Sequence, residues 1–181
     1  MEGSQRIRVH DKVFERVIDA DQIDSAIDKI ARELHRDLKE DPPLFVAILN
    51  GAFMFAADLF KKLTFPCEIS FLKVASYAGT GSTEDVRHLI GIDEDITGKT
   101  VVVVEDIVDT GLTLKEVRKY LLNKGAGEVR IATLLFKPEA FRADYPIDYV
   151  GMEIPNEFIV GYGLDYNRHG RNFKDIYRIV K

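Results

Sequence analysis

Hydrophobic residues follow a helical spacing near the start of the chain and strand-like runs further on. In residues 21–38 they recur every three or four positions, which places them on one face of a helix. These positions are Ile23, Ile27, Ile30, Leu34 and Leu38. Asp21 is a candidate N-cap for this helix. The Asp-Pro-Pro sequence at 41–43 would prevent the helix from continuing.

Short apolar runs bounded by polar residues predict buried strands. The runs are LFVAIL at 44–49, CEISFLKVAS at 67–76, TVVVVEDI at 100–107 and EVRIATLLF at 128–136. Helical segments at 52–63 and 112–127 lie between them, and Gly125 closes the second. Strands with apolar runs that alternate with helices predict an α/β fold, with a mostly parallel sheet covered by helices on both faces.

Two stretches depart from this alternation. Residues 77–99 are polar and rich in Gly, Ser and Thr, and a loop of that length is uncommon unless it is functional or disordered. The tail has short strand-like pieces, which predict a small subdomain over one end of the sheet. The 181 residues suit a single domain. We expect its core at about 20–145 and a hood at about 1–18 and 146–181.

Composition and charge exclude several classes of protein. The chain is 46% hydrophobic and 30% charged, as in ordinary globular proteins, and its net charge of -5 argues against non-specific binding to nucleic acid or anionic membranes. No apolar stretch approaches the ~18 residues of a membrane span. The first 17 residues lack a signal-peptide core, and the lone Cys67 allows no intrachain disulfide. We therefore expect a cytoplasmic protein with no membrane partner.

The stretch KTVVVVEDIVDTGLTL at 99–114 concentrates candidate chemistry at the end of a buried strand. Glu105, Asp106 and Asp109 are followed by Gly111 and by the hydroxyls of Thr110 and Thr113. Ligands of parallel sheets bind beyond the carboxyl ends of the strands, and the helix start that follows suits a phosphate. Carboxylates beside it suit sugar hydroxyls or magnesium. A sugar phosphate would satisfy both halves.

Other interpretations of this stretch remain open on the residues alone. Asp109 or Thr110 would serve equally as an ordinary helix cap, and the acids would then be solvated. The turn lacks the lysine and the spacing of a P-loop, and the GTG sequence at 79–81 lacks the context of a dinucleotide fold. A phospho-acceptor domain also has acids at strand ends, but it would not need the hydroxyl-rich turn.

VVVVEDIVDTGLTL resembles the phosphoribosyl-pyrophosphate signature of the phosphoribosyltransferase family. The hypoxanthine (hypoxanthine-guanine) subgroup is indicated by ILNGAFMFAADL, by Ser76 and Tyr77 at the start of the long loop, by LLFKPEAF, and by VGMEIPNEFIVGYGLDYNRHGRN. The resemblance runs from about Val9 to the C-terminus. It implies the type I phosphoribosyltransferase fold. It also implies a purine-salvage activity that transfers ribose 5-phosphate from phosphoribosyl pyrophosphate to N9 of hypoxanthine, and of guanine as well, with magnesium.

The resemblance also implies a role for individual residues. Asp109 would be the general base or acid at purine N7, and Glu105 and Asp106 would bind the ribose hydroxyls. The 5-phosphate loop would comprise Asp109, Thr110, Gly111, Leu112 and Thr113. Pyrophosphate would contact Leu49, Asn50, Gly51 and Arg171. Purine would contact Lys137, Phe158, Ile159 and Asp165. Magnesium would contact Glu105, Asp106 and Asp165.

Two positions depart from the family pattern. Asn50 stands where the family often has lysine or arginine, so main-chain N–H groups would make the pyrophosphate contact there. Leu112 occupies a position that is often polar, which leaves main-chain contacts unaffected.

Further expectations concern the lid, the partners and the alternatives. Because the reacting sugar must be kept from water, we expect the loop from Tyr77 to about Asp93 to close over the site. The family suggests a homodimer or homotetramer. A transferase that prefers xanthine remains an alternative. So does a regulator that senses phosphoribosyl pyrophosphate without catalysis, although the acidic chain offers little support for nucleic-acid binding.

Overall fold

The computed structural model describes residues 5–76 and 86–180, which form two β-sheets and three helices within those ranges. The strands are β1 Arg6–Val9, β2 Lys12–Ile18, β3 Leu44–Leu49, β4 Glu68–Ser76, β5 Val86–Ile90, β6 Thr100–Val108, β7 Glu128–Phe136, β8 Tyr149–Glu153, β9 Ile159–Val160 and β10 Ile176–Ile179. The helices are α1 Ala20–Leu38, α2 Phe53–Lys62 and α3 Leu112–Asn123. The predicted α/β class is confirmed.

The larger sheet has the strand order β5-β4-β3-β6-β7-β8. All neighbouring pairs from β4 to β8 are parallel, and only β5 is antiparallel to its neighbour. Helices on both faces of the sheet explain why β6 has four consecutive valines at 101–104. Val102 and Val104 pack with the buried faces of α1 and α2, whereas Val101 and Val103 pack with α3 on the opposite side.

The smaller sheet forms a hood with the strand order β1-β2-β10-β9, and each pairing in it is antiparallel. It joins the first and last parts of the chain around Val9, Phe14, Val160 and Tyr177. Buried Asp175 accepts a hydrogen bond from the Ala20 N–H at 2.8 Å. This bond anchors the hood to the first turn of α1.

The N-terminus of α1 differs from the sequence-based expectation. Asp19, rather than Asp21, is the N-cap, and it accepts a hydrogen bond from the N–H of Gln22. The Gln22 side chain in turn accepts from the Asp19 N–H, which completes a capping box. Asp21 lies in the first helical turn, where a carboxylate still favours the positive end of the helix dipole.

Two strands lie where the sequence predicted other structure. β5 falls inside the predicted 77–99 loop, as a short antiparallel edge strand on β4. β8 falls inside the predicted hood, yet it pairs in parallel with β7 in the main sheet. The link between β7 and β8 contains no helix, so the usual sequence signal of a parallel crossover was missing.

Residues 77–85, with Tyr77 and most of the predicted lid, lie outside the described part. None of the helices in the described part is long and apolar enough to cross a membrane.

Candidate active site

Most of the candidate residues lie at the carboxyl ends of the central strands of the main sheet. β3, β6 and β7 are adjacent and parallel, so the residues that follow or end them meet at their carboxyl ends. The Leu49–Asn50 peptide, which is cis, follows β3. Glu105 and Asp106 lie in the last part of β6, and Lys137 directly follows β7.

Glu105 and Asp106 are carboxylates held out of water. The Glu105 Oε2 atom is buried and has no hydrogen-bond partner among the described residues. Burial, followed by the charge of Asp106, raises the pKa of Glu105 well above its ordinary value. Burial likewise raises the pKa of Asp106, although hydrogen bonds and the Arg171 charge oppose the effect. Such an unpartnered acceptor suits a ligand that brings hydroxyl donors or a cation.

Gly51 lies directly against Asp106. A Cβ atom at position 51 would come within 1.9 Å of the Asp106 Oδ2 atom, so only glycine fits there. Gly163, at φ 96°, lies against the other side of this turn, and a Cβ on it would be 2.1 Å from the Gly51 carbonyl oxygen. The turn after β3 is therefore packed between a strand-end carboxylate and a hood loop.

The turn between β6 and α3 has the geometry of an anion-binding loop. Gly111 is the N-cap at φ 79°, and no side chain caps the helix start. Tyr145 donates a hydrogen bond to the Gly111 carbonyl at 2.6 Å, and a Cβ on Gly111 would collide with Phe141. Thr110, Leu112 and Thr113 are exposed around this turn. The Leu112 N–H donates to the Thr110 hydroxyl over a long 3.4 Å. Exposed hydroxyls beside the N–H groups of a first helical turn suit a phosphate.

Lys137 and Asp109 form an ion pair at this edge. The Lys137 Nζ atom donates to Asp109 Oδ2 at 2.8 Å, and the lysine side chain is only 9% exposed. The Asn156 Oδ1 atom lies 3.5 Å from the same nitrogen. An ammonium group has three N–H donors, so one remains for a ligand.

Asp165 and Arg171 form a second ion pair, with 2.6 Å between Arg171 Nη2 and Asp165 Oδ1. The Nη1 atom of Arg171 donates to the Gly163 carbonyl at 2.6 Å. Both residues influence the pKa of Asp106, the arginine lowering it and the aspartate raising it. This pair therefore lies close to the end of β6.

Phe158 and Ile159 belong to the hood. Phe158 is 46% exposed, unusually for a phenylalanine, and its ring centroid lies 5.8 Å from that of Tyr166. Its carbonyl accepts from the Ile179 N–H at 3.0 Å, which ties this segment to β10. Ile159 is buried in β9. An exposed but supported ring is suited to stacking on a planar ligand.

The structure thus brings together Asp109 with Lys137, Gly51 with Asp106, and Asp165 with Arg171. It does not bring Glu105, Asp106 and Asp165 into one metal cage, since no three His, Cys, Asp or Glu side chains among the described residues converge to hold an ion. Ser76 ends β4.

Three residues that support the site were missed in the sequence. Asn156 approaches Lys137, Tyr145 holds Gly111, and Gly163 packs on Gly51. The Gly-Tyr-Gly sequence at 161–163 is a local signal of tight backbone packing that could have identified Gly163.

Comparison with known proteins places this site in a family. Residues 18–167 match the phosphoribosyl transferase domain. The chain belongs to the phosphoribosyltransferase family. It is 43% identical over 150 residues to the hypoxanthine phosphoribosyltransferase of Haemophilus influenzae, covering 82% of this chain and 83% of that relative. It is 35% identical to the hypoxanthine-guanine phosphoribosyltransferase of Aquifex aeolicus, covering 94% of this chain and 97% of that one.

Solved structures agree with this membership. The crystal structure of a hypoxanthine-guanine phosphoribosyltransferase from Bacillus anthracis superimposes with a TM-score of 0.86 at 38% identity, covering 91% of this chain and 98% of that one. A Trypanosoma cruzi hypoxanthine phosphoribosyl transferase superimposes with a TM-score of 0.87 at 31% identity, covering 96% and 95% of the two chains. The predicted type I phosphoribosyltransferase fold is confirmed.

Proposed function

We propose that this phosphoribosyltransferase acts in purine salvage. It transfers the 5-phosphoribosyl group from phosphoribosyl pyrophosphate to N9 of hypoxanthine, and of guanine, and releases pyrophosphate. The observation that carries the proposal is the 2.8 Å contact between Lys137 and Asp109 at the end of two neighbouring strands, beside the Gly111 turn. A donor for a purine oxygen, a carboxylate for a purine nitrogen and a phosphate loop thus share one edge.

Lys137 is the residue proposed to select the base. Its remaining N–H donor would bond the 6-oxygen of hypoxanthine or guanine. Adenine would present a donor instead and leave the third N–H of this buried ammonium group without an acceptor, which a site of this kind rejects strongly. Phe158 would stack on the base, and the main chain at Ile159 would read its edge.

Asp109 is the proposed general base or acid at purine N7. As N9 forms its bond to ribose C1, the purine ring loses a proton, and a carboxylate near N7 assists that transfer. General acid–base assistance of this kind contributes about 10²–10⁴-fold in rate. The neighbouring Lys137 holds the carboxylate in place.

Glu105, Asp106 and the 109–113 turn are proposed to hold the sugar phosphate. The two carboxylates accept hydrogen bonds from the ribose hydroxyls. The buried Glu105 Oε2 atom, which has no partner among the described residues, supports this role. The N–H groups of Gly111, Leu112 and Thr113 and the hydroxyls of Thr110 and Thr113 bind the 5-phosphate. Anchoring both ends of the ribose holds C1 at a defined position for attack.

The pyrophosphate group is proposed to lie between Arg171 and the 49–51 turn, where Asn50 leaves main-chain N–H groups as the donors. Magnesium would complete this site. The donor set fits a hard cation that takes few protein carboxylates and fills its shell with phosphate oxygens, because Asp106 and Asp165 lie near the end of β6 without forming a closed cage. When bound, it offsets charge on the leaving pyrophosphate.

The chemistry requires stabilisation of positive charge on the sugar. Breaking the C1–oxygen bond gives the ribose ring an oxocarbenium-like character, as in glycoside hydrolysis. The carboxylates of Glu105 and Asp106 lie on the sugar side of the site and favour that charge. The loop from Tyr77 to about Asp93 is proposed to exclude water during turnover. A cytoplasmic homodimer or homotetramer is the proposed state of the enzyme.

Product analysis tests the proposed function. The protein is incubated with phosphoribosyl pyrophosphate, magnesium and hypoxanthine, guanine or xanthine in separate reactions, and the nucleotides are resolved by chromatography. We expect inosine and guanosine monophosphates. Dominant formation of xanthosine monophosphate would favour the xanthine alternative. Binding of phosphoribosyl pyrophosphate without any nucleotide product would favour the sensor.

A further inference from the structure

Tyr162 has an uncommon backbone conformation next to the candidate site. Its φ is 48°, and it lies between Gly161 at φ 104° and Gly163 at φ 96°. A bulky side chain in the left-handed region persists only where the surrounding structure holds it there, and such residues cluster at functional sites. Three consecutive left-handed residues turn the chain sharply just after β9.

The Tyr162 side chain is held by α2. It is 5% exposed, and its hydroxyl donates to Asp58 Oδ2 at 2.5 Å. The other carboxylate oxygen of Asp58 lies 2.5 Å from Lys61 Nζ. Burial would raise the pKa of Asp58, but hydrogen bonds from Lys61 and Tyr162 outweigh it and the pKa is lowered. The bond is therefore a charge-assisted one, from a neutral hydroxyl to a carboxylate.

The backbone around Tyr162 connects directly to the proposed pyrophosphate site. The Tyr162 N–H donates to the Phe173 carbonyl at 2.8 Å, and the Gly163 N–H donates to the Arg171 carbonyl at 2.9 Å. The Gly163 carbonyl accepts from the Arg171 guanidinium, and the Gly163 Cα packs on the Gly51 carbonyl. A shift of Tyr162 would thus move both Arg171 and the support of Gly51.

We propose that Tyr162 is a positioning residue, whose hydrogen bond to Asp58 on α2 fixes the loop that orients Arg171 and supports the Gly51 turn for pyrophosphate. The inference rests on the proposed function, because it concerns the same site. Part of the affinity for the pyrophosphate group would then depend on the hydrogen bond between Tyr162 and Asp58, two residues that do not themselves contact the substrate.

The purine side of the site is held by different contacts. Lys137 and Asp109 bond each other, and Phe158 is tied to β10 through the Ile179 N–H. Loss of the Tyr162 hydroxyl should therefore affect one substrate and spare the other. A merely structural role would lower stability without this division.

The test compares Tyr162→Phe with Tyr149→Phe. Tyr149 is a matched control, because it is buried and its hydroxyl lies 3.3 Å from a carboxylate, that of Asp37, away from the loop. We expect Tyr162→Phe to raise the KM for phosphoribosyl pyrophosphate about tenfold, as for loss of one hydrogen bond to a charged group. The KM for hypoxanthine should stay unchanged, and the control should change neither KM.

Variants of Asp58 test the same hydrogen bond from its other partner. Asp58→Asn keeps an acceptor for the tyrosine hydroxyl and should retain most of the affinity, whereas Asp58→Ala should resemble Tyr162→Phe. The double variant Tyr162→Phe with Asp58→Ala should be no worse than either single one, since both remove the same bond. Equal rises in both KM values, or additive effects, would overturn the inference.

Binding of inorganic pyrophosphate with magnesium, measured by calorimetry, separates the two proposals. If the wild-type protein forms no nucleotide, the proposed function fails. A weaker pyrophosphate affinity in Tyr162→Phe than in Tyr149→Phe would still support the positioning role. Equal affinities in those two variants would overturn it, even in an active enzyme.

Discussion

Lys137 donates a hydrogen bond to Asp109 across 2.8 Å, although the two residues lie 28 positions apart and directly follow two neighbouring strands. The ammonium group is buried, so the carboxylate serves as its counterion before any substrate arrives. A purine that enters the proposed site would therefore meet a donor and an acceptor whose relative positions are already set. Such preorganisation reduces the reorganisation needed during reaction.

Replacement of Asp109 tests its role in proton transfer. We expect Asp109→Asn to lower kcat about 10²-fold or more, because the amide cannot take up the purine proton. It still accepts a hydrogen bond from Lys137, so folding should be kept. Steady-state rates with hypoxanthine provide the measurement. Asp144→Asn, at an exposed aspartate paired with Lys115, is the control. An unchanged kcat would remove Asp109 as the base.

Replacement of Lys137 tests base selection. Lys137→Met keeps the length of the side chain and removes its donors, so the purine oxygen loses its partner. We expect kcat/KM for hypoxanthine to fall about 10²-fold, as for one lost charge-assisted hydrogen bond in a buried site. The KM for phosphoribosyl pyrophosphate should not change. Lys29→Met, which removes a surface contact to the Val150 carbonyl, is the control. A loss confined to the sugar substrate would contradict the assignment.

Gly51 is predicted to tolerate no side chain. In Gly51→Ala the new Cβ would need the space of the Asp106 carboxylate, and the displaced group could no longer meet the ribose. Misplacement by about 1 Å can cost about 10²-fold, and we expect that loss in kcat/KM for phosphoribosyl pyrophosphate. Gly98→Ala, just before the other end of β6, is the control, since its Cβ would meet no atom within 4 Å and only the strain of its φ of 73° remains. Equal activity of the two variants would contradict the packing argument.

Glu105 is predicted to lower the stability of the free protein at neutral pH. Burial raises its folded-state pKa well above the ordinary 4.5, so the folded state binds the proton more tightly than the unfolded chain does. That contribution to stability is fully present below 4.5 and is lost as pH rises through the folded-state pKa. Glu105→Gln does not ionise. Its Tm should exceed that of the wild type at pH 8, and the difference should shrink as the pH falls towards 5.

A second glutamate controls for this pH effect. Glu94 is exposed, and hydrogen bonds from backbone N–H groups and from Ser70 lower its pKa, so Glu94→Gln should not raise the Tm at pH 8. Thermal unfolding of both variants at the two pH values provides the comparison. If Glu105→Gln were less stable than the wild type at pH 8, its carboxylate would be paired in a way that the structure does not show. The same variant should bind phosphoribosyl pyrophosphate more weakly, since a carboxylate accepts hydrogen bonds only, whereas an amide also presents donors.

Local patterns were sufficient to predict the α/β layers. The helical spacing in 21–38 and the apolar runs of β3, β6 and β7 depend on which faces each element buries, and burial leaves a direct imprint on residue order. The strand, turn and helix around Gly111 could be read in the same way. The phosphoribosyltransferase resemblance came from that stretch and from segments both before and after it.

Elements with weak patterns were predicted less well. β5 and β8 are edge strands of five residues each, and only part of β8 is buried, so neither has a full apolar run. The predicted N-cap of α1, Asp21, lies two positions after the observed N-cap, Asp19. Both residues are suitable caps, and only the hydrogen bonds between Asp19 and Gln22 distinguish them.

Residue order by itself determined the layers of this protein, the acid-tipped strand and the turn that follows it, because those depend on neighbours along the chain. Only the tertiary structure decided that Lys137 bonds Asp109, that Gly51 packs on Asp106, and that Tyr162 reaches Asp58. These contacts join residues from separate elements, and they depend on strand order and on how the hood docks. Hydrophobic periodicity encodes which face is buried, but not which distant side chain lies opposite it.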